Sequence, residues 1–85
     1  MNIRVLFFAS LRESTGVESL TVALAEGSYN ALRTELTARL GDAADALWVD
    51  NVRVAHNQEL IAEAATSLAV SDGDEVAFLP PVTGG

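Results

Sequence analysis

The residues best suited to chemistry stand at the end of the chain, in Pro80-Pro81-Val82-Thr83-Gly84-Gly85. Two successive prolines restrict φ and favour an extended stalk. Fully extended, residues 80–85 reach about 20 Å from the body that carries them. Gly84 and Gly85 lack a Cβ and accept backbone angles that other residues refuse, so this end fits a narrow tunnel. The carboxylate of Gly85 is the least hindered that a chain can offer. Such a group suits activation: it attacks a phosphorus of ATP in a partner's site, becomes an acyl-adenylate, and is then open to a nucleophile. The plain alternative for a Gly-Gly end is a frayed polar terminus.

Other chemistry is scarce. The chain has 85 residues and no cysteine, which excludes disulfides, thiolate metal sites and a cysteine nucleophile. Its single histidine, His56, cannot build a zinc site alone. There is no lysine, and five arginines stand against twelve acidic residues for a net charge of −7. Phosphate neutralisation therefore offers nothing, and nucleic acid is excluded as an expected partner. An acidic chain meets basic partners most readily, although simple solubility explains the charge equally well. No stretch approaches the ~20 apolar residues of a membrane-spanning helix, and Met1–Ser10 does not read as a signal peptide. A soluble cytoplasmic domain with no membrane partner is expected.

The elements that must carry the tail follow from patterning. A chain of this length forms one domain, burying roughly 63% of its surface on folding, and 49% hydrophobic residues can fill that core. Ile3–Phe8 is β-branched and aromatic and reads as a strand. Ala9–Thr15 is expected to make a helical turn closed by Gly16. Ser19–Leu24 alternates and predicts a second strand, hairpin-paired with the first. Ser28 is a good N-cap for a helix in which Tyr29, Leu32, Leu36 and Leu40 recur at helical spacing before Gly41. A short helical turn is expected over Asp42–Trp48. Asn51–His56 predicts a third strand ending in the turn-prone Asn57-Gln58, Leu60–Val70 short strand pieces and loop, and Glu75–Leu79 the last strand after a turn at Ser71–Asp74.

This order, one main helix against a mixed sheet of about five strands, is α+β and fits a β-grasp roll with the first and last strands parallel at its centre. Residues 1–79 form the domain and residues 80–85 a flexible tail.

The run Gly73–Gly85, the opening Val5-Leu6-Phe7-Phe8-Ala9 with Arg12-Glu13 beyond it, and Asn57-Gln58 together resemble the molybdopterin synthase small-subunit (MoaD) family over the full chain. The resemblance implies a ubiquitin-like sulfur carrier. An ATP-dependent activating enzyme would adenylate Gly85, and a persulfide-derived sulfur would replace AMP to leave a thiocarboxylate. The tail would enter the active site of a large subunit, where the sulfur attacks cyclic pyranopterin monophosphate, and two such transfers build the dithiolene. Gly84 would serve passage through the tunnel. The implied assembly is a heterotetramer of two small and two large subunits. Catalytic side chains would belong to the large subunit, and this chain would bind no cofactor, the ATP being used by the activating enzyme. His56 departs from the family, which usually has a small aliphatic residue before its Asn-Gln turn. It and Trp48 are assigned structural places.

Strand parity places a partner. With Arg4 and Glu75 pointing outward, Ile3, Val5, Phe7, Val76 and Phe78 point to the core, while Leu6, Phe8, Ala77 and Leu79 share the outer face. Phe8 and Leu79 then lie together at the root of the tail, an exposed apolar patch fit for docking, unless a loop covers them. Leu60 and Arg12 join the expected contact, with Pro80, Pro81, Val82 and Thr83 following into the partner. Three alternatives share the tail: a sulfur carrier for thiamine or cysteine synthesis, a ubiquitin-like protein modifier, and a simple binding module.

Overall fold

A computed structural model of the chain describes residues 1–49, 51–61 and 68–80. Five strands, β1 (Asn2–Phe7), β2 (Ser19–Ala23), β3 (Arg53–His56), β4 (Glu59–Leu60) and β5 (Glu75–Leu79), form one sheet in the order β2-β1-β5-β3-β4. β1 and β5 run parallel with Val5 opposite Val76 and Phe7 opposite Phe78, while the β1–β2, β3–β5 and β3–β4 pairs are antiparallel. The expected β-grasp topology is therefore present, with the first and last strands paired inside the sheet.

One face of this sheet is the core. Ile3, Val5, Phe7, Val22, Val76 and Phe78 are buried there, as the period-2 alternation requires. Phe7 and Phe78, opposite each other in register, stack with ring centroids 5.9 Å apart. Over them lies α2 (Tyr29–Leu40), which buries Tyr29, Leu32 and Leu36 along a single stripe. The Ser28 side chain accepts a hydrogen bond from the Ala31 N–H at 3.1 Å, fixing where α2 begins. A 3₁₀ segment over Gly41–Leu47 follows and adds Ala44 and Leu47 to the core. Trp48 is half-buried, edge-on to both Tyr29 and Phe78, with the Arg33 guanidinium 4.9 Å above its ring. It is a packing residue, as expected. The seven residues Ala9–Thr15 form a full short helix, α1, which buries Leu11 and ends at Gly16 with a left-handed φ of 79°.

The connection into β5 crosses the end of α2 at close range. Val70 N–H donates to Gly27 O at 2.9 Å, and Ser28 bridges Ala69. A Cβ on Gly27 would sit 1.9 Å from Val70 O, so no side chain fits there without moving backbone. Leu68 and Val70 reach the core through this contact. Gly27→Ala is expected to lower stability by about 2 kcal/mol while leaving the sheet intact. Urea unfolding checks this, and an unchanged midpoint would show that the contact relaxes freely.

Candidate functional site

The last described residues, Leu79 and Pro80, are half-buried at the C-terminal end of β5. Pro81, Val82, Thr83, Gly84 and Gly85 lie outside the described residues. What the structure supplies is the surface around Leu79 and Pro80. β1 ends beside it: Phe8 N–H donates to Phe78 O at 3.1 Å, which carries the parallel pairing one residue past Phe7 and sets Phe8 level with Leu79. Phe8 is still extended at φ −112°, ψ 150°, so its side chain alternates to the outer face, where it is 45% exposed. Ala9 then takes a left-handed φ of 49° to turn the chain into α1. That conformation costs an alanine about 1 kcal/mol. The turn brings Arg12 back to Phe8, and the two share a groove with Arg4, Leu6 and Glu18.

The register extends the apolar ground across the sheet. Leu6 pairs with Ala77, Ala77 with Ala55, and Ala55 with Leu60, so these four residues form one row on the outer face. The two alanines are nearly buried between larger neighbours, whereas Leu60 stands 57% exposed on the edge strand. Phe8 and Leu79 continue the face toward the tail. Leu60 is thus separated from Leu6 by three strand spacings, about 14 Å, and belongs to the far side of one continuous floor.

Arg53 opposes Leu79 in register and Arg4 opposes Glu75. With Arg12 they place guanidinium groups around the apolar floor. The face is of mixed charge, because Glu75 stands opposite Arg4 and Glu18 lines the groove beside Arg12. Carboxylates on a partner would meet Arg12 and Arg53 at its rim. Ala55 and Arg53 were missed as members of the face. Counting alternation outward from Val54, the buried residue between them, would have found both.

These features define a β-grasp protein with an apolar, arginine-rimmed face at the root of its C-terminal segment. The chain belongs to the ThiS family, which it matches over residues 5–85, through Gly84 and Gly85. It is 42% identical over 83 residues to the molybdopterin synthase sulfur carrier subunit of Escherichia coli, covering 98% of this chain and 99% of that one. Its fold is similar to a chain in the complex of subunits 1 and 2 of the molybdopterin-converting factor from Helicobacter pylori, with a TM-score of 0.71 and 27% identity over the whole of both chains. It is also similar to small archaeal modifier protein 1 of H. volcanii, with a TM-score of 0.72 and 26% identity over 95% of this chain and 98% of that one. Among the described residues, no helix is long and apolar enough to cross a membrane.

His56, the departure from the family pattern, has a partner at the opposite pole of the sheet. Its Nε2 lies 2.7 Å from Asp74 Oδ2, which also accepts from the Ser71 N–H at 2.9 Å. The hydrogen bond from His56, then those from Ser71 and Asn57, lower the Asp74 carboxyl from 3.8 to about 2. The carboxylate is ionised, so Nε2 carries the bridging proton. Asn57 Oδ1 accepts from the Glu75 N–H at 2.9 Å, and Asn57 N–H donates to Glu75 O at 2.8 Å. These bonds tie the β3–β4 hairpin to β5. They hold a two-residue turn in which Asn57 and Gln58 both take positive φ, 50° and 73°, the pairing expected of a tight hairpin. Leu60 is presented by that hairpin.

A carboxyl whose pKa is depressed on folding stabilises the native state above its unfolded value and ceases to do so below its folded one. The Asp74 contribution is therefore expected to fade as pH falls from about 4 to about 2. His56→Leu should raise the Asp74 pKa and shift this loss to higher pH. Carboxyl-detected NMR titration with acid unfolding is the measurement, and an Asp74 titration indifferent to His56 would disprove the coupling.

Proposed function

We propose that this chain is the sulfur-carrier small subunit of a molybdopterin synthase, with the carboxylate of Gly85 as its working group. The observation that carries the reading is the 42% identity to the Escherichia coli carrier subunit over nearly the full length of both chains. The apolar face beside Leu79 and Pro80 supports it, because a tail that reaches into another protein needs a docking surface at its root.

In this reading the Gly85 carboxylate attacks the α-phosphorus of ATP on an activating enzyme and pyrophosphate leaves. The outer sulfur of a persulfide then displaces AMP to give an acyl disulfide, whose S–S bond a thiol of the activating system cleaves, forming a disulfide with the donor sulfur. The resulting thiocarboxylate is carried on residues 80–85 into the large subunit. Gly84 passes the tunnel there, and the sulfur attacks cyclic pyranopterin monophosphate. Phe8, Leu79 and Leu60 supply apolar docking contacts, Arg12 a charged one at the rim, and Pro80 to Thr83 the stalk. The small subunit contributes no catalytic side chain and holds no cofactor. Two carriers and two large subunits make the assembly, which works in the cytoplasm.

The resemblance to an archaeal modifier protein makes conjugation to target lysines the competing outcome. Incubation with activating enzyme, ATP and a sulfur source separates the two: a carrier exchanges one C-terminal oxygen for sulfur, visible in the intact mass and in C-terminal fragments, whereas a modifier appears as isopeptide-linked conjugates. Sulfur on a side chain, or none at all, would sink the carrier reading.

Two variant sets divide docking from chemistry. Phe8→Asp and Leu79→Asp are expected to weaken large-subunit binding by roughly 2 kcal/mol each with little loss of fold, read by calorimetric titration beside thermal melts. Adding one alanine after Gly85 moves the carboxylate by about 3.5 Å and brings a Cβ into the tunnel. Binding should stay near normal while adenylation, sulfur transfer or both fail, since reacting groups tolerate little displacement. Normal molybdopterin formation by the extended protein would refute the assignment of Gly85.

A further inference from the structure

The two edges of the sheet are built differently. β4 is two residues long and carries Glu59, which protects that edge from pairing with other chains. β2, the other edge, runs Ser19-Leu20-Thr21-Val22-Ala23 with no charge, proline or bulge. Its hydrogen bonding can be counted. Met1 and Leu24 exchange both backbone bonds, at 2.9 and 2.8 Å, and Phe7 N–H donates to Glu18 O at 2.9 Å. With the register between them, Asn2 opposite Ala23 through Leu6 opposite Ser19, the antiparallel alternation turns Leu20 and Val22 toward β1. It leaves the N–H and C=O groups of Ser19, Thr21 and Ala23 facing outward.

Beside the end of this edge runs a groove of about 340 Å³ between Ala23–Glu26 and α2. Ala23 and Ala31 give it a low floor, Thr34 adds a hydroxyl, and its only charged groups are the carboxylates of Glu26 and Glu35. Among the described residues, Glu35 is engaged by Arg39, one helical turn away at 3.5 Å, in a half-exposed pair of the kind that contributes little.

We propose that the β2 edge and this groove form a docking site for an extended basic peptide segment, which adds to the sheet as a sixth strand. Backbone bonds to Ser19, Thr21 and Ala23 supply the pairing, and an arginine or lysine of the segment reaches the groove carboxylates. Charge selects this occupant over a second copy of the chain: two copies would each bring a net charge of −7, with Glu18 and Glu26 at the ends of the paired edges. The site is separate from the Phe8–Leu79 face, so both can be filled at once.

The register supplies its own test. Thr21 N–H faces away from β1, so Thr21→Pro removes an edge donor without breaking the β1–β2 ladder, a setting in which a strand tolerates proline. A short synthetic peptide of alternating valine and arginine serves as the probe, titrated into the isotope-labelled full chain. The expected result is hydrogen-exchange protection and shifted amides at Ser19, Thr21 and Ala23. Thr21→Pro should abolish binding, and combined Glu26→Gln and Glu35→Gln should weaken it roughly tenfold. An N-methylated version of the peptide, unable to pair, should fail against the unaltered protein, which keeps the test valid if Thr21→Pro does not fold. Equal binding of the N-methylated peptide or of a valine–glutamate peptide, shifts confined to the Phe8–Leu79 face, or self-association through β2 without peptide would each overturn the proposal.

Discussion

Parallel pairing of β1 with β5 is the constraint on which everything else rests. It sets Phe7 against Phe78 and Val5 against Val76, so the largest buried side chains meet under α2. Parallel neighbours cannot be joined by a tight turn. All other elements therefore lie between these two strands in the chain, and each must find a place around them. The same pairing fixes the outer face: once Phe7 and Phe78 point inward, Phe8 and Leu79 must point outward. Core and candidate docking surface are two consequences of one register, and a shift by a single residue would exchange them.

Charge is distributed with equal consequence. In a chain of net charge −7, Arg12 and Arg53 flank the apolar face at the Phe8–Leu79 end, while Arg4 stands opposite Glu75 at the other end. The groove beside β2 is lined by carboxylates alone among charged groups. Net charge describes long-range encounter. It does not describe either face, because each is decided by which few residues the strand register brings to one side.

Much of this was legible in the sequence. Residues 3–8, 19–24 and 75–79 have β-branched or aromatic content with clear alternation, and all three became strands within a residue of their expected limits. Ser28 and Gly41 bracketed α2 because capping depends on one or two residues. The segment after Gln58 was only partly readable, since β4 is two residues long and too short for any period to register. Parity set Ala77 on the outer face but did not reveal how little of it is exposed, which depends on Leu6 and Ala55 beside it. The His56–Asp74 contact was invisible for a different reason. It spans 18 positions and exists only because β3 and β5 are antiparallel neighbours.

The position of β5 also bears on synthesis. It is the last of the five strands along the chain, yet it sits between β1 and β3. Until it emerges from the ribosome, β1 has a partner on one side only, and the β3–β4 hairpin has no sheet to join. A nascent chain interrupted before residue 75 consequently lacks the strand that unites the sheet. Insertion of β5 joins β1 and β2 on one side to the β3–β4 hairpin on the other, so the two parts of the sheet close together only once the last of these strands is in place.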